Sequence, residues 1–159
     1  MKYRSVRGLR ALRDLPRDSE MDYARRRMYE RAAGKHGATC PCCDRFIKVY
    51  RRSFTADMAR CLILLEREGR DWVDIKRLPV RGGDYAKAVH WGVVETQGEN
   101  SGLWRITEMG VGFIGGRVRL PAHVFLLKNV CVEVDDVQIG IRDALRTKFD
   151  FEALMNGHL

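Results

Sequence analysis

The chain has 159 residues, of which 45% are apolar, and a formal charge of +8 with a pI near 9.5. That bounds it to one packed domain, or one domain with an appendage. No apolar run approaches the ~20 residues of a bilayer span, and the Arg-rich start lacks the apolar stretch of a signal peptide. A soluble, cytoplasmic protein is therefore expected.

The charge is uneven: residues 1–53 hold 15 Lys/Arg against 6 Asp/Glu, and residues 54–159 hold 14 against 15. A cationic front beside a near-neutral body suits a nucleic-acid arm on a separate globule. The plainer reading of such arginines is a solvated helix face.

Arg4, Arg7, Arg10 and Arg13 recur every third residue, as do Leu9, Leu12 and Leu15, until Pro16. That spacing fits a short helical arm ordered on a partner. Asp18 or Ser19 can cap a helix to about Ala33, with Met21, Ala24, Met28 and Ala32 on one face and Arg25, Arg26, Arg27 and Arg31 around the rest. Gly34 and Gly37 end it. A knuckle from His36 to Asp44 follows, then a strand-like stretch, Phe46 to Tyr50, and the basic pair Arg51-Arg52. The domain boundary is expected near Ser53.

Residues 55–68 give the clearest helix, capped by Thr55, striped by Met58, Cys61, Leu62 and Leu65, and stopped by Gly69. Residues 71–78 predict a short amphipathic helix ending at Pro79. Asp84 is the expected N-cap of a third helix over 85–91. Two alternating stretches, Gly92 to Thr96 and Leu103 to Thr107, flank a polar turn and predict a hairpin. Thr107 caps a helix over 108–114. Candidate strands at 118–120, 123–128, 130–134 and 137–139 and a closing helix at 141–149 complete the chain.

Three helices followed by a two-stranded hairpin is the order of a winged helix-turn-helix. The expected fold is α+β, with a basic helical arm and cysteine knuckle at 1–53, a winged helix-turn-helix domain at 54–116, and a C-terminal hairpin with a closing helix at 117–159. The stretches Trp91-Gly-Val-Val-Glu95 and Ile106-Thr-Glu-Met-Gly110 resemble the matching segment of MarR-type bacterial regulators. There a recognition helix runs into a Gly-Leu-Ile-Glu-like strand, and a Leu-Thr-x-x-Gly turn follows the wing. That resemblance implies residues 84–91 in a DNA groove and 97–102 on the backbone. The basic helix, the Cys-Pro-x-Cys knuckle and the Trp-x-Ile-Thr-x-x-Gly-x-x-Phe wing together resemble small uncharacterised proteins of bacteriophages and prophages. That likeness implies a host-cell cytoplasmic setting and no particular mechanism.

The reading helix offers Lys87, His90 and Tyr85, and the wing tip carries Glu99 and no base, which repels phosphate. Phosphate contacts are therefore expected from Arg25, Arg26, Arg27, Arg31, Lys35, Arg51 and Arg52, with Arg77 and Arg81 near the turn. Cys40 and Cys43 have the spacing with which two thiolates clasp one zinc ion at ~2.3 Å. Cys42 and His36 are the nearest further ligands. Adjacent Cys42 and Cys43 do not easily both point inward, and no second C-x-x-C is present, so incidental cysteines are the alternative. The Cys-Pro-Cys-Cys run also looks like a glutaredoxin motif, but a helix precedes it and a strand-like stretch follows, the reverse of the order that family needs.

No catalytic set is legible, and the four histidines have no carboxylate at a suggestive spacing. Two functions remain. One is a non-enzymatic nucleic-acid-binding protein, with duplex DNA the expected ligand and electrostatics the main attraction. The other is a winged-helix module that docks on a host or phage protein. Residues 1–33 suit a homodimer contact as well as a DNA clasp.

Overall fold

The computed structural model describes residues 30–34, 36–40, 43–98 and 101–158. The expected arm, with Arg25, Arg26 and Arg27, lies outside the described residues, as do Lys35, Cys42 and Glu99. The rest is a mixed α+β fold of short helices and open antiparallel sheets.

The described part opens on helical residues 30–33. β1 (Ala38–Thr39) and β2 (Phe46–Ile47) then form a small hairpin around the cysteine turn. β3 (Val49–Ser53) leaves that hairpin at once and pairs along its whole length with β8 (His123–Leu127). The basic stretch expected to end the arm is thus an edge strand of the C-terminal sheet, whose order is β3-β8-β9 with β9 at Val130–Val134. Ala32 and Val49 pack together on that sheet with Phe125, Leu127 and Val132.

α1 (Ala56–Glu68) is the hub. The Thr55 hydroxyl accepts the Met58 N–H at 3.3 Å, and Gly69 terminates the helix at φ +105°. The expected stripe is buried, but so are Ala59, Ile63 and Leu64. A helix apolar nearly all round is a core helix rather than a surface one. It contacts the 3-10 helix described below, the strand Leu103–Ile106, and all three later helices.

The second predicted helix is corrected. Val73–Asp74 is a strand, β4, paired with Leu103 and Trp104, and only Ile75–Arg77 turns, as one 3-10 turn capped by the Asp74 carboxylate. The β-branched Val73 and the open edge of the wing outweigh a weak helical periodicity. The third predicted helix is a 3-10 helix, Asp84–Trp91, and its N-cap is Gly83, not Asp84. Asp84 pairs instead with Lys87, since residues three apart eclipse one another on a threefold helix. Gly92, at φ +71°, turns the chain from this helix into the wing.

The wing consists of β5 (Val94–Thr96) and β6 (Leu103–Ile106), so the sheet order is β4-β6-β5. α2 (Glu108–Ile114) follows, with Thr107 accepting the Gly110 N–H and donating to the Gly92 carbonyl at 2.7 Å. β7 (Leu120–Pro121) pairs with β10 (Gln138–Ile139).

The closing helix expected over 141–149 is shorter, and a further helix that was not expected follows it. α3 (Ile141–Leu145) stops at Arg146, where φ is +54°, and α4 (Phe151–Asn156) starts from Asp150, whose carboxylate accepts the Ala153 N–H at 2.6 Å. One apolar cluster runs from Phe54 through α1, the wing and β8 to Leu154.

Candidate nucleic-acid interface

Strand pairing sorts the expected phosphate ligands. Side chains alternate along β3, and directly opposed residues share a face. Arg51 therefore lies opposite Phe125 and Arg52 opposite Val124, on different sides of the sheet.

On the first side, the Arg51 guanidinium sits 3.2 Å from His123 Nδ1 and 4.0 Å from Asp135 Oδ2. His123 Nδ1 is itself 2.6 Å from that carboxylate oxygen. The Val137 N–H, and then the His123 ring, hold the Asp135 carboxyl below its ordinary range. Arg51 is thereby tied to a carboxylate. The histidine–carboxylate pair bridges residues twelve apart, which no local spacing revealed.

On the other side, Tyr50 is 46% exposed, with the Arg52 guanidinium 5.3 Å and the Lys48 ammonium 5.8 Å from its ring centroid. Arg52 also acts on the Asp84 carboxylate, which Lys87 lowers more strongly by its hydrogen bond and charge. Lys128 and Asn129 form a two-residue hairpin turn with φ of +49° and +63°, following Leu127, the partner of Val49. Asn129 hydrogen-bonds His90. The 128–129 turn therefore touches the 3-10 helix at His90 and follows the residue that pairs with the start of β3.

The expected readers are less available than their spacing suggested. Lys87 is paired with Asp84. Tyr85 is half-buried, with its ring edge-on to Trp104 at 5.6 Å. His90 is only 4% exposed and does not face a groove. It ends the helix against the core beside Trp91, and its placement corrects its expected role as a reader.

Burial, and then the charge of Lys87, push the His90 pKa below its ordinary value, and the Asn129 hydrogen bond only partly opposes them. In the unfolded chain this imidazole takes up a proton near pH 6.5, while in the folded chain it stays neutral to lower pH. Stability is therefore expected to fall as pH drops below 6.5, by at most about 1.4 kcal/mol per pH unit from this group. His90→Gln is expected to flatten that acid limb. Urea midpoints at neutral and mildly acidic pH measure it, and equal slopes in both proteins would exclude His90 as the cause.

The turn before the 3-10 helix exposes Lys76, Arg77 and Arg81. None of these three, nor Lys48, Arg52 or Lys128, forms an ion pair with a carboxylate among the described residues. Arg31 is exposed on the helical residues 30–33. The arginine of the 94–106 hairpin, by contrast, is engaged. Arg105 pairs with Glu95 across the hairpin at 2.6 Å and lies 4.5 Å from the Trp72 ring centroid.

The cysteine knuckle is a hairpin turn, closed by the Cys40 N–H to the Arg45 carbonyl and the Asp44 N–H to the Cys40 carbonyl, each 2.9 Å. Cys40 is half-buried, and Cys43 and His36 are exposed. Among the described residues no three His, Cys, Asp or Glu side chains converge on one point.

Sequence reasoning missed Lys48, Tyr50 and Lys128. The alternation Val49-Tyr-Arg-Arg-Ser53 was the signal that could have separated Arg51 from Arg52.

Comparison of the chain with protein-family models, curated proteins and solved structures gives no match.

Proposed function

We propose that this protein binds nucleic acid non-enzymatically, with duplex DNA the expected ligand and phosphate neutralisation the main source of affinity. One observation carries the reading: Arg52 on the β3 edge and the exposed Arg77 and Arg81 ahead of the 3-10 helix form no ion pair with a carboxylate among the described residues. Those cations are thereby left available to phosphate. The order α1, β4, 3-10 turn, 3-10 helix, β5, β6, with β4 added to the hairpin, supports a winged-helix reading of the body.

Such binding releases counterions, so log affinity falls with log salt by about 0.9 per phosphate neutralised. Fluorescence anisotropy on a labelled duplex across a salt series tests this. The triple variant R52A/R77A/R81A is expected to bind more weakly on every sequence and to flatten the slope by roughly three. Absence of duplex binding by the native chain at low salt would overturn the proposal.

A second reading is favoured by the engaged Arg105 and the buried His90. Few groups remain to read a base, as suits a winged helix that docks on protein. Retention of a partner after nuclease treatment distinguishes the two, because a partner bridged by nucleic acid is then lost.

A further inference from the structure

We propose that the exposed Tyr50 ring, with Lys48 and Arg52 beside it, takes an unpaired nucleobase, so that single-stranded nucleic acid is the ligand of this strand face. The inference rests on the nucleic-acid reading above and adds a single-stranded ligand at this edge to the duplex expected there.

Among the described residues Tyr50 joins neither apolar cluster. Its opposed neighbour Leu126 is buried in the core, whereas Tyr50, on the strand that ends this sheet among the described residues, is 46% exposed.

The ring also has a defined electrostatic setting. Both cations lie within the range at which a ring and a cation attract. Arg51, the other base of the pair, is drawn to the far side by Asp135, and Asp84, the carboxylate that Arg52 feels, is occupied by Lys87. Positive charge therefore remains available over a ring that is still half exposed, and a base that stacks there would take the place of one of the two cations. Lys128 extends it at the end of the strand pair, and Phe46, 60% exposed on the adjoining hairpin, offers a second ring.

This combination selects against an intact duplex as the ligand of the ring. Paired bases present only their edges, and their faces are covered by neighbouring bases. A base that has left the stack presents its face, which aromatic side chains hold while nearby cations engage the flanking phosphates. Sequence preference is correspondingly weak, in keeping with the poor set of readers on the 3-10 helix.

The test is anisotropy with fluorescein-labelled oligothymidylate and a duplex of equal length, at one low salt concentration, for the native chain, Tyr50→Ala and Tyr50→Phe. Tyr50→Ala is expected to weaken oligothymidylate binding about 5- to 150-fold, the range for loss of one stacked base, and to change duplex binding by no more than about twofold. Tyr50→Phe keeps the π-face and is expected to retain the affinity. Unchanged melting temperatures show that the variants fold.

Equal losses on both ligands, or no loss on oligothymidylate, would overturn the stacking role while leaving duplex binding in place. A native chain that binds neither ligand would overturn the broader nucleic-acid reading as well.

Discussion

Trp91→Ala is expected to lower the unfolding free energy by about 3–5 kcal/mol, the range for removing a large buried aromatic side chain. Trp91 is fully buried at the end of the 3-10 helix. Its ring meets Phe54 edge-on at 5.2 Å, and Phe54 meets Phe113 in the same way at 5.4 Å. These three rings join the 3-10 helix, the segment entering α1, and α2. Trp91 Nε1 also donates to the Pro121 carbonyl at 2.7 Å, fixing β7 against the same point.

The alanine variant loses the burial, the ring contact and the hydrogen bond together. Trp91→Phe isolates the last of these, since it keeps most of the packing and leaves the buried Pro121 carbonyl without its donor, at a cost of about 1–3 kcal/mol. Urea unfolding measures both variants. A shifted midpoint with an unchanged slope is expected, and a shift below about 1 kcal/mol for Trp91→Ala would show that this ring is not a keystone of the core.

Gly110→Ala is expected to destabilise, by about 1–3 kcal/mol or more, although glycine-to-alanine inside a helix ordinarily stabilises by up to about 1 kcal/mol. The reversal follows from space. A Cβ on Gly110 would lie 2.4 Å from the Val93 carbonyl oxygen and 2.7 Å from Ile106 Cγ1. The carbonyl is backbone and already accepts the Thr107 N–H at 3.0 Å. Relief therefore requires α2 to move off the wing, which strains the Thr107 cap. Gly83→Ala is the control, because nothing lies within 4 Å of the added methyl there. Thermal melts of the two variants should move apart, Gly110→Ala well below the native chain and Gly83→Ala close to it. A Gly110→Ala protein that melts at or above the native temperature would refute the close approach of α2 to the hairpin.

Gly110 also shows what the sequence made legible and why. The run from Ile106 to Gly110 stood out as a motif, and its glycine has a steric reason. Thr55, Gly69, Gly92 and Thr107 were likewise readable, because caps and left-handed turns are decided by a few adjacent residues. What was not readable depends on partners distant in the chain. Val73–Asp74 becomes a strand only because Leu103 and Trp104 offer it an edge. Arg51 and Arg52 look like one basic pair until β8, about seventy residues later, fixes which side each occupies. His123 and Asp135 meet only through the curl of β8 into β9, where a register shift between Phe125 and Leu126 lets the strands bend. The helix after Asp150 was legible in principle, since an aspartate cap precedes Phe151, but a continuous helix over 141–149 concealed it.

The pairing of β3 with β8 has a mechanical consequence. β8 sends Val124 and Leu126 into the same apolar cluster that surrounds α1, so the exposed edge is clamped to the centre of the molecule by a ladder of backbone hydrogen bonds. A ligand grasped there pulls on the whole body rather than on a loose tether. Occupancy of that edge is then linked by mass action to global unfolding, raising the melting temperature as free ligand exceeds its dissociation constant.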